Sequence, residues 1–291
     1  MTLVVESFLN RSVPVLDHGF VRVVDVMGDD TAIVTAARVS YKRARRMRKD
    51  AALLRYLLRK RHTSPFEQCE IKLHVKVPLF VARQWVRHRT ASMNEISGRY
   101  GVLKDEFYIP TEDRVREQSA TNKQGSGEKM TAEYAQEWCK DARDVSEYNF
   151  KFYQDSCEDG VARELSRIIL PLNTYTEFYW KIDLHNLMHF LSLRLDSHAQ
   201  WEIRQYAQVI ADFVRIWVPD TWAAFEDYRL GAVTLSATVF KALKRILGPL
   251  ETLHVPLDSA LRLLGVGERE RGEVLGHFMR GDGDEEDGAE V

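Results

Sequence analysis

The sequence predicts an α+β fold, an antiparallel sheet flanked by helices, on three observations. Ile71, Leu73, Val75 and Val77 alternate with Lys72, His74 and Lys76, the period of two of a half-buried strand. Ile203, Tyr206, Ile210, Phe213, Val214 and Trp217 recur at helical spacing and form an apolar stripe. Strands of the first kind are mixed with segregated runs of the second, the pattern of α+β domains.

The elements follow in chain order. The run from Phe20 to Val26 is rich in β-branched residues and reads as a strand. Gly28-Asp29-Asp30 stops it, and Asp30 is the expected cap of a helix through Tyr41. Leu53, Leu54, Leu57 and Leu58 mark a helix from Asp50 to His62. Pro78 ends the strand at 71–77 and sits in the first turn of a helix carrying Val81, Ala82, Trp85 and Val86. Arg87, His88 and Arg89 then fall at the end of that helix and in the loop beyond. Residues 111–129 are polar, contain Gly125-Ser126-Gly127, and read as a mobile surface loop. A long helix follows from Thr131 to Cys157, a strand from Asn173 to Ile182, and helices from Asp183 to Asp196 and from His198 to Val218, closed by Pro219. Composition shifts after Tyr228, so the chain divides into a domain over 1–230 and an extension over 231–291. The extension holds a short amphipathic helix from Ala237 to Leu247 and an acidic, Gly-rich tail expected to be disordered.

Composition narrows the function classes. A chain of 291 residues, 45% hydrophobic and 29% charged, is a soluble globular protein able to bury a large core. Its net charge of -2 exerts no general pull on nucleic acid or anionic membrane, so any polyanion site is local. Cys69, Cys139 and Cys157 form no C-x-x-C pair, and low cysteine use suits a reducing cytoplasm. The first ten residues hold Glu6 and no basic run, unlike a signal peptide, and no apolar run is long enough to span a bilayer.

The segment Arg87-His88-Arg89-Thr90-Ala91-Ser92-Met93-Asn94-Glu95-Ile96-Ser97-Gly98-Arg99-Tyr100 concentrates the chemistry. Arg presents a planar fork of donors to phosphate or carboxylate, His donates or accepts near neutral pH, and Gly98 permits close approach to the backbone. Read from the residues alone, Arg87-His88-Arg89 is either a phosphate clamp or a solvated helix end. Glu95, Ser97, Gly98 and Arg99 make either a phosphate cradle or an ordinary capped turn. No G-x-S-x-G frame surrounds Ser97, which argues against acyl transfer. Arg194, among Leu191, Leu193 and Leu195, is either snorkelling or paired with an anion such as Asp196 or Glu202. His185 and His189 share a helix face, and with Asp183 they make a candidate zinc set for a nucleotide hydrolase, although the H-E-x-x-H frame is missing. The basic run Lys42 to Lys49 is a candidate nucleic-acid patch or a solvated loop, with no aromatic interleaved to stack bases.

Arg-His-Arg, seven residues, then Ser resembles the signature of the flavin-dependent thymidylate synthases, here Arg87-His88-Arg89 and Ser97. Three further blocks resemble that family in its order: His62-Thr63-Ser64-Pro65-Phe66-Glu67, Arg167 to Asn173, and Leu193 to Glu202, within a stretch from about Leu16 to Tyr228. The resemblance implies a homotetramer that makes dTMP from dUMP, with FAD as hydride carrier, NADPH as reductant and 5,10-methylenetetrahydrofolate as carbon donor, and with active sites shared between subunits. It implies that FAD is bound by Ser64, Arg87, His88, Arg89, Glu95, Asp183, His185 and His189. It implies dUMP contacts from Gln84, Arg87, Glu95, Ser97, Gly98, Arg99, Arg167 and Arg194. Arg194 is the implied catalytic residue, favouring ionisation at N3 of the pyrimidine, and Arg167 reaches the nucleotide from another subunit. His62 falls by resemblance near the flavin and folate, and Tyr100 is a folate candidate because it adjoins Arg99. No resident metal, nucleic acid or membrane partner is implied. No cysteine lies in the signature blocks, so the expected route needs no enzymic thiolate, and Cys69 is expected to be a packed thiol.

Overall fold

The computed structural model describes residues 3–39, 50–120, 123–247 and 257–279. They divide into two compact units, Met1–Ala232 and Val233–Val291. The basic run at 42–49, Tyr41 and the acidic tail at 281–291 lie outside the described residues.

The first unit is built on a five-stranded antiparallel sheet in the order β1-β2-β3-β7-β4. Its strands are β1 (Ser12–Val15), β2 (Gly19–Met27), β3 (Glu70–Pro78), β4 (Ser92–Glu95) and β7 (Tyr175–Asp183), and β5 (Arg116–Gln118) pairs with β6 (Ser126–Lys129) as a separate hairpin. The helices are α1 (Leu3–Glu6), α2 (Asp30–Ala37), α3 (Asp50–Arg59), α4 (Leu79–Trp85), α5 (Ala132–Glu158), α6 (Arg163–Ser166), α7 (Leu184–Arg194), α8 (Trp201–Trp217) and α9 (Pro219–Phe225). The antiparallel α+β reading is therefore correct. The period-two pattern holds in β3, where Ile71, Leu73, Val75 and Val77 are all buried. Helix α8 buries the stripe from Ile203 to Trp217 against the same core. No described helix is long and apolar enough to cross a membrane.

Three expectations are corrected. Residues 111–129 hold the β5–β6 hairpin rather than a mobile loop. Among the described residues of this stretch only Val115 is buried, so no apolar alternation marked it, and polar contacts support the backbone pairing: Arg116 Nη1 donates to Gly127 O at 3.1 Å and Gln118 Nε2 to Gly125 O at 3.0 Å. The signature segment is not all loop, because Ser92–Glu95 pairs with β7 as an edge strand whose mostly exposed side chains lack a period-two pattern. The cap of α2 is Asp29, which accepts from Ala32 N at 2.9 Å. Asp30 turns the other way and accepts from the Asp220 and Thr221 amides at the start of α9, so Pro219 ends one helix and begins the next.

Three local features position the site. Pro78 at the end of β3 sets the entry to α4, whose first amides, Leu79 and Phe80, donate to Thr174 O and Leu172 O. At the other end of α4, Trp85 is fully buried among Phe178, Trp180 and Phe190, with ring centroids 4.9–5.5 Å away. That anchor fixes where Arg87, His88 and Arg89 leave the core. Asp183 caps α7 by accepting from Asn186 N at 2.9 Å, which fixes the helix that carries His185, His189 and Arg194.

The second unit contains α10 (Ala237–Leu247), α11 (Leu257–Leu263) and α12 (Glu268–Met279). Arg271 pairs with Asp258 at 3.0 Å, and the Phe240 and Phe278 rings meet at 5.2 Å.

Candidate active site

The end of α4 and the end of α7 meet in a small polar cluster. Arg194 donates from Nε to His88 Nε2 at 3.1 Å and from Nη2 to the carbonyl of Gln84 at 3.1 Å. It pairs with neither Asp196 nor Glu202, the two anions expected from the sequence spacing. Asp196 instead accepts from His198, and Glu202 from the Tyr108 hydroxyl. Among the described residues Arg194 has no carboxylate partner, and burial pushes its pKa down without removing its charge. A cation left half-buried and uncompensated attracts an anionic or strongly polarised ligand.

His88 must be neutral to accept that bond, which places its own proton on Nδ1. Burial, then the charge of Arg194 and then His189, push its pKa from 6.5 down to about 4. Because the folded value lies below the unfolded one, the unfolded chain takes up the proton first as pH falls. The associated stability is complete above about pH 6.5 and is lost towards pH 4. We expect urea midpoints of the wild type to fall more steeply between pH 7 and 5 than those of His88→Gln; parallel slopes would show that His88 does not carry this linkage.

A second group lies at the edge of the sheet. Glu95, Ser97, Gly98 and Arg167 line a cleft of about 230 Å³. Thr176 Oγ1 donates to Glu95 Oε1 at 2.6 Å, and Ser97 Oγ accepts from Arg99 N at 3.3 Å. Arg99 also meets Glu164 at 3.3 Å, whereas the Arg167 guanidinium has no partner among the described residues. A Cβ on Gly98 would stand 3.3 Å from Arg167 Cδ and from Leu103 Cδ1. Gly98→Ala is therefore expected to displace Arg167 and weaken anion binding about fivefold, read by calorimetry with a nucleoside monophosphate. Tyr100 is exposed beyond this cleft and does not line it.

A third group surrounds a largely apolar cleft of about 310 Å³, with Phe66, Met188 and Phe225 among its walls and His62, His185 and His189 among its polar groups. Here Thr63, rather than its exposed neighbour Ser64, faces the space. Sequence reasoning also missed Arg61, Ser192 and Arg229 in this lining. Arg61, two residues past the end of α3, is in the left-handed region at φ 59°, a conformation no sequence pattern announced for an arginine. Arg229 lies in a π-helical turn, Glu226–Leu230, just past the end of the family-like stretch at about Tyr228. The cleft fits a flat aromatic ring system better than a whole dinucleotide, since it lies at the small end of ligand pockets. Arg87 and Arg89 are exposed on the polypeptide between these groups.

The metal-hydrolase reading loses its carboxylate. Asp183 Oδ1 caps α7 and Oδ2 accepts from Asn186 Nδ2 at 2.7 Å, so both oxygens are engaged. Among the described residues no three His, Cys, Asp or Glu groups assemble as a metal site.

Cys69 is the packed thiol expected. It is fully buried, its Sγ lies 3.6 Å from Asp29 O, and burial, with Asp29 and Asp30 nearby, pushes its pKa up to about 12. It stays protonated at neutral pH and is no nucleophile. Cys69→Ala is expected to cost stability while turnover per folded enzyme changes less than about twofold; loss of turnover in a folded variant would overturn this.

Residues 22–220 match the family model described as thymidylate synthase complementing protein. The flavin-dependent thymidylate synthase of Gluconobacter oxydans is 54% identical over 82% of this chain and 80% of its own. That of Thermus thermophilus is 54% identical over 91% of this chain and 94% of its own. Among solved structures, the UMP/dUMP methylase PolB of Streptomyces cacaoi, bound to 5-Br dUMP, is 33% identical with a TM-score of 0.67, covering 75% of this chain and 99% of that one.

Proposed function

Because the chain belongs to the family of flavin-dependent thymidylate synthases, and so to enzymes that convert dUMP to dTMP, we propose that it does so with NADPH as reductant and 5,10-methylenetetrahydrofolate as carbon donor, in a homotetramer whose sites are shared. The observation that carries this reading is Arg194, held by His88 and Gln84 and left without a carboxylate.

Arg194 is assigned to the uracil ring. A fixed cation there stabilises negative charge on the N3–O4 edge, favours ionisation at N3 and raises electron density at C5, where the new carbon bond forms. Neutral His88 holds the guanidinium in place, and Gln84 lies beside it to meet the nucleotide. No thiolate is needed to activate C5, which agrees with a protonated Cys69. Two electrons and a proton separate the transferred methylene from the methyl of dTMP, and NADPH is their proposed source.

Arg167, Ser97, Gly98 and Arg99, with Glu95, are assigned to the phosphate and sugar of dUMP. The apolar cleft beside α7 is assigned to FAD, with His185 and His189 along it and Asp183 holding their helix in place. Ser64, Arg87, His88, Arg89 and Glu95 complete the proposed cofactor contacts. When bound, FAD supplies the hydride chemistry that no amino-acid side chain offers. His62 and Tyr100 remain the proposed folate contacts.

Sharing between subunits is supported by the division of the nucleotide residues. None of Gln84, Arg87 and Arg194 lines the cleft formed by Glu95, Ser97, Gly98 and Arg167. Ile168 and Leu172, flanking that cleft, are 73% and 66% exposed, and Tyr148 and Phe152 on α5 are also exposed. Apolar surface of this kind is covered in an assembly. The proposed location is the cytoplasm, whose reducing poise keeps Cys69, Cys139 and Cys157 as the free thiols seen here.

The test is anaerobic dTMP formation by purified protein with FAD, NADPH, dUMP and 5,10-methylenetetrahydrofolate in the presence of chelator. Product dependent on both FAD and NADPH supports the reading. No product from a folded, flavin-loaded tetramer rejects it.

A further inference from the structure

We propose a separate anion site between the β5–β6 hairpin and the start of α8, shaped for a ligand bearing several phosphate or carboxylate groups. The cleft there offers about 600 Å³, and Arg114, Arg116 and Arg204 converge on it. Each guanidinium is held by one contact that leaves donors over. Arg114 lies 4.5 Å over the Trp201 ring, Arg116 Nη1 donates to Gly127 O at 3.1 Å, and Arg204 Nη1 donates to Ser197 O at 3.2 Å. In all three the Nε is buried and has no hydrogen-bond partner. An Nε with no exposed area cannot meet a ligand, so the donors left for acceptors in the cleft are the remaining Nη groups of three guanidiniums, a concentration of positive charge that favours an anion.

A second observation points the same way. Helix α8 opens onto this cleft, and its N-cap, Gln200, makes no side-chain cap. The Gln200 side chain instead accepts from Gln84 Nε2. The first-turn amides of a 17-residue helix are thus left to face an anion with the positive end of its dipole behind them. Two carboxylates also line the cleft: Glu202 accepts from the Tyr108 hydroxyl, and Glu117 is exposed. The three arginines outnumber them.

The Gln200–Gln84 contact makes this cleft a neighbour of the Arg194 cluster, because Gln84 O accepts from Arg194. Resting on the proposed function, the ligand chemistry is that of an elongated co-substrate: the phosphates of a pyridine dinucleotide or the γ-linked carboxylates of a folate tail. Both present oxyanions in series, and the arms of one experiment tell them apart.

Flavin-loaded protein is titrated calorimetrically with tripolyphosphate, adenosine 2′,5′-bisphosphate and triglutamate, without dUMP and at low salt. Saturable binding is expected, weakened about tenfold or more in Arg116→Gln/Arg204→Gln and partly restored in Arg116→Lys/Arg204→Lys. Preference for the bisphosphate assigns the site to the reductant, and preference for triglutamate assigns it to the folate. Absence of binding by all three probes, or binding unaltered in the glutamine variant, overturns the proposal. So does sedimentation showing that the glutamine variant falls apart, since the cleft would then be a subunit seam. Binding is read without turnover, so a failed dTMP assay and a failed anion site remain distinguishable.

Discussion

Arg194→Ala is expected to lose dTMP formation by about a hundred- to a thousandfold while the purified protein keeps its flavin, the scale seen when one preorganised electrostatic group is removed from a reaction centre. The reason is the position of the guanidinium. It is fixed at two points, His88 Nε2 and Gln84 O, and among the described residues it has no carboxylate to neutralise it. Alanine removes the charge without opening the core, because Arg194 is only half-buried and stands outside the core that Trp85 and Phe190 help to fill. Arg194→Lys is expected to recover only part of the loss, since an ammonium is a point donor and cannot span His88 and Gln84 with the same fork. The measurement is single-turnover methyl transfer alongside the flavin absorbance. A variant that turns over normally would remove Arg194 from the mechanism. One that loses flavin along with activity would make Arg194 part of cofactor binding instead.

The second large effect is complementation. Arg167→Ala and Arg194→Ala should each be nearly inactive alone, because each strips one of the two arginine groups proposed to enclose dUMP. In one subunit those groups occupy different places: Arg167 lines the sheet-edge cleft and Arg194 sits at the junction of α4 and α7. If a site takes Arg194 from one subunit and Arg167 from another, equal mixing of the two variants gives intact sites by chance. Unfolding and reassembling the mixture should then restore about a quarter of wild-type activity by random assortment in a symmetric oligomer. Each variant reassembled alone should stay inactive. No recovery from a mixture shown by mass to contain mixed oligomers would mean that each subunit builds its own site, and the shared-site proposal would fall.

Much of this molecule can be read from its residues. The alternation in β3, the stripe on α8 and the helices expected to begin at Thr131 and Asp183 are local signals, and the structure keeps them, with both residues serving as N-caps. The hairpin at 116–129 and the edge strand at 92–95 were not legible, since both are held by backbone pairing with few buried side chains. Asp29 and Asp30 are equally good caps as sequence, and only the approach of α9 determines which carboxylate serves which helix. The same holds at the site. The Arg-His-Arg and Ser pattern points to the chemistry, but pairing Arg194 with Asp196 or Glu202 is as reasonable from sequence spacing as leaving it free. Arg229 in the apolar cleft carries no sequence signal of any kind.

What the sequence determined by itself is the fold class, the family and the residue types that carry charge to the site, because these rest on periodicities and short motifs within one stretch of chain. What only the tertiary structure decided is which charges are satisfied. Arg194 lies 106 residues from His88 and 110 from Gln84, and Arg204 is just as remote in sequence from the neighbouring Arg114 and Arg116. Whether a buried donor is paired or waiting depends on what folding brings within about 3 Å of it.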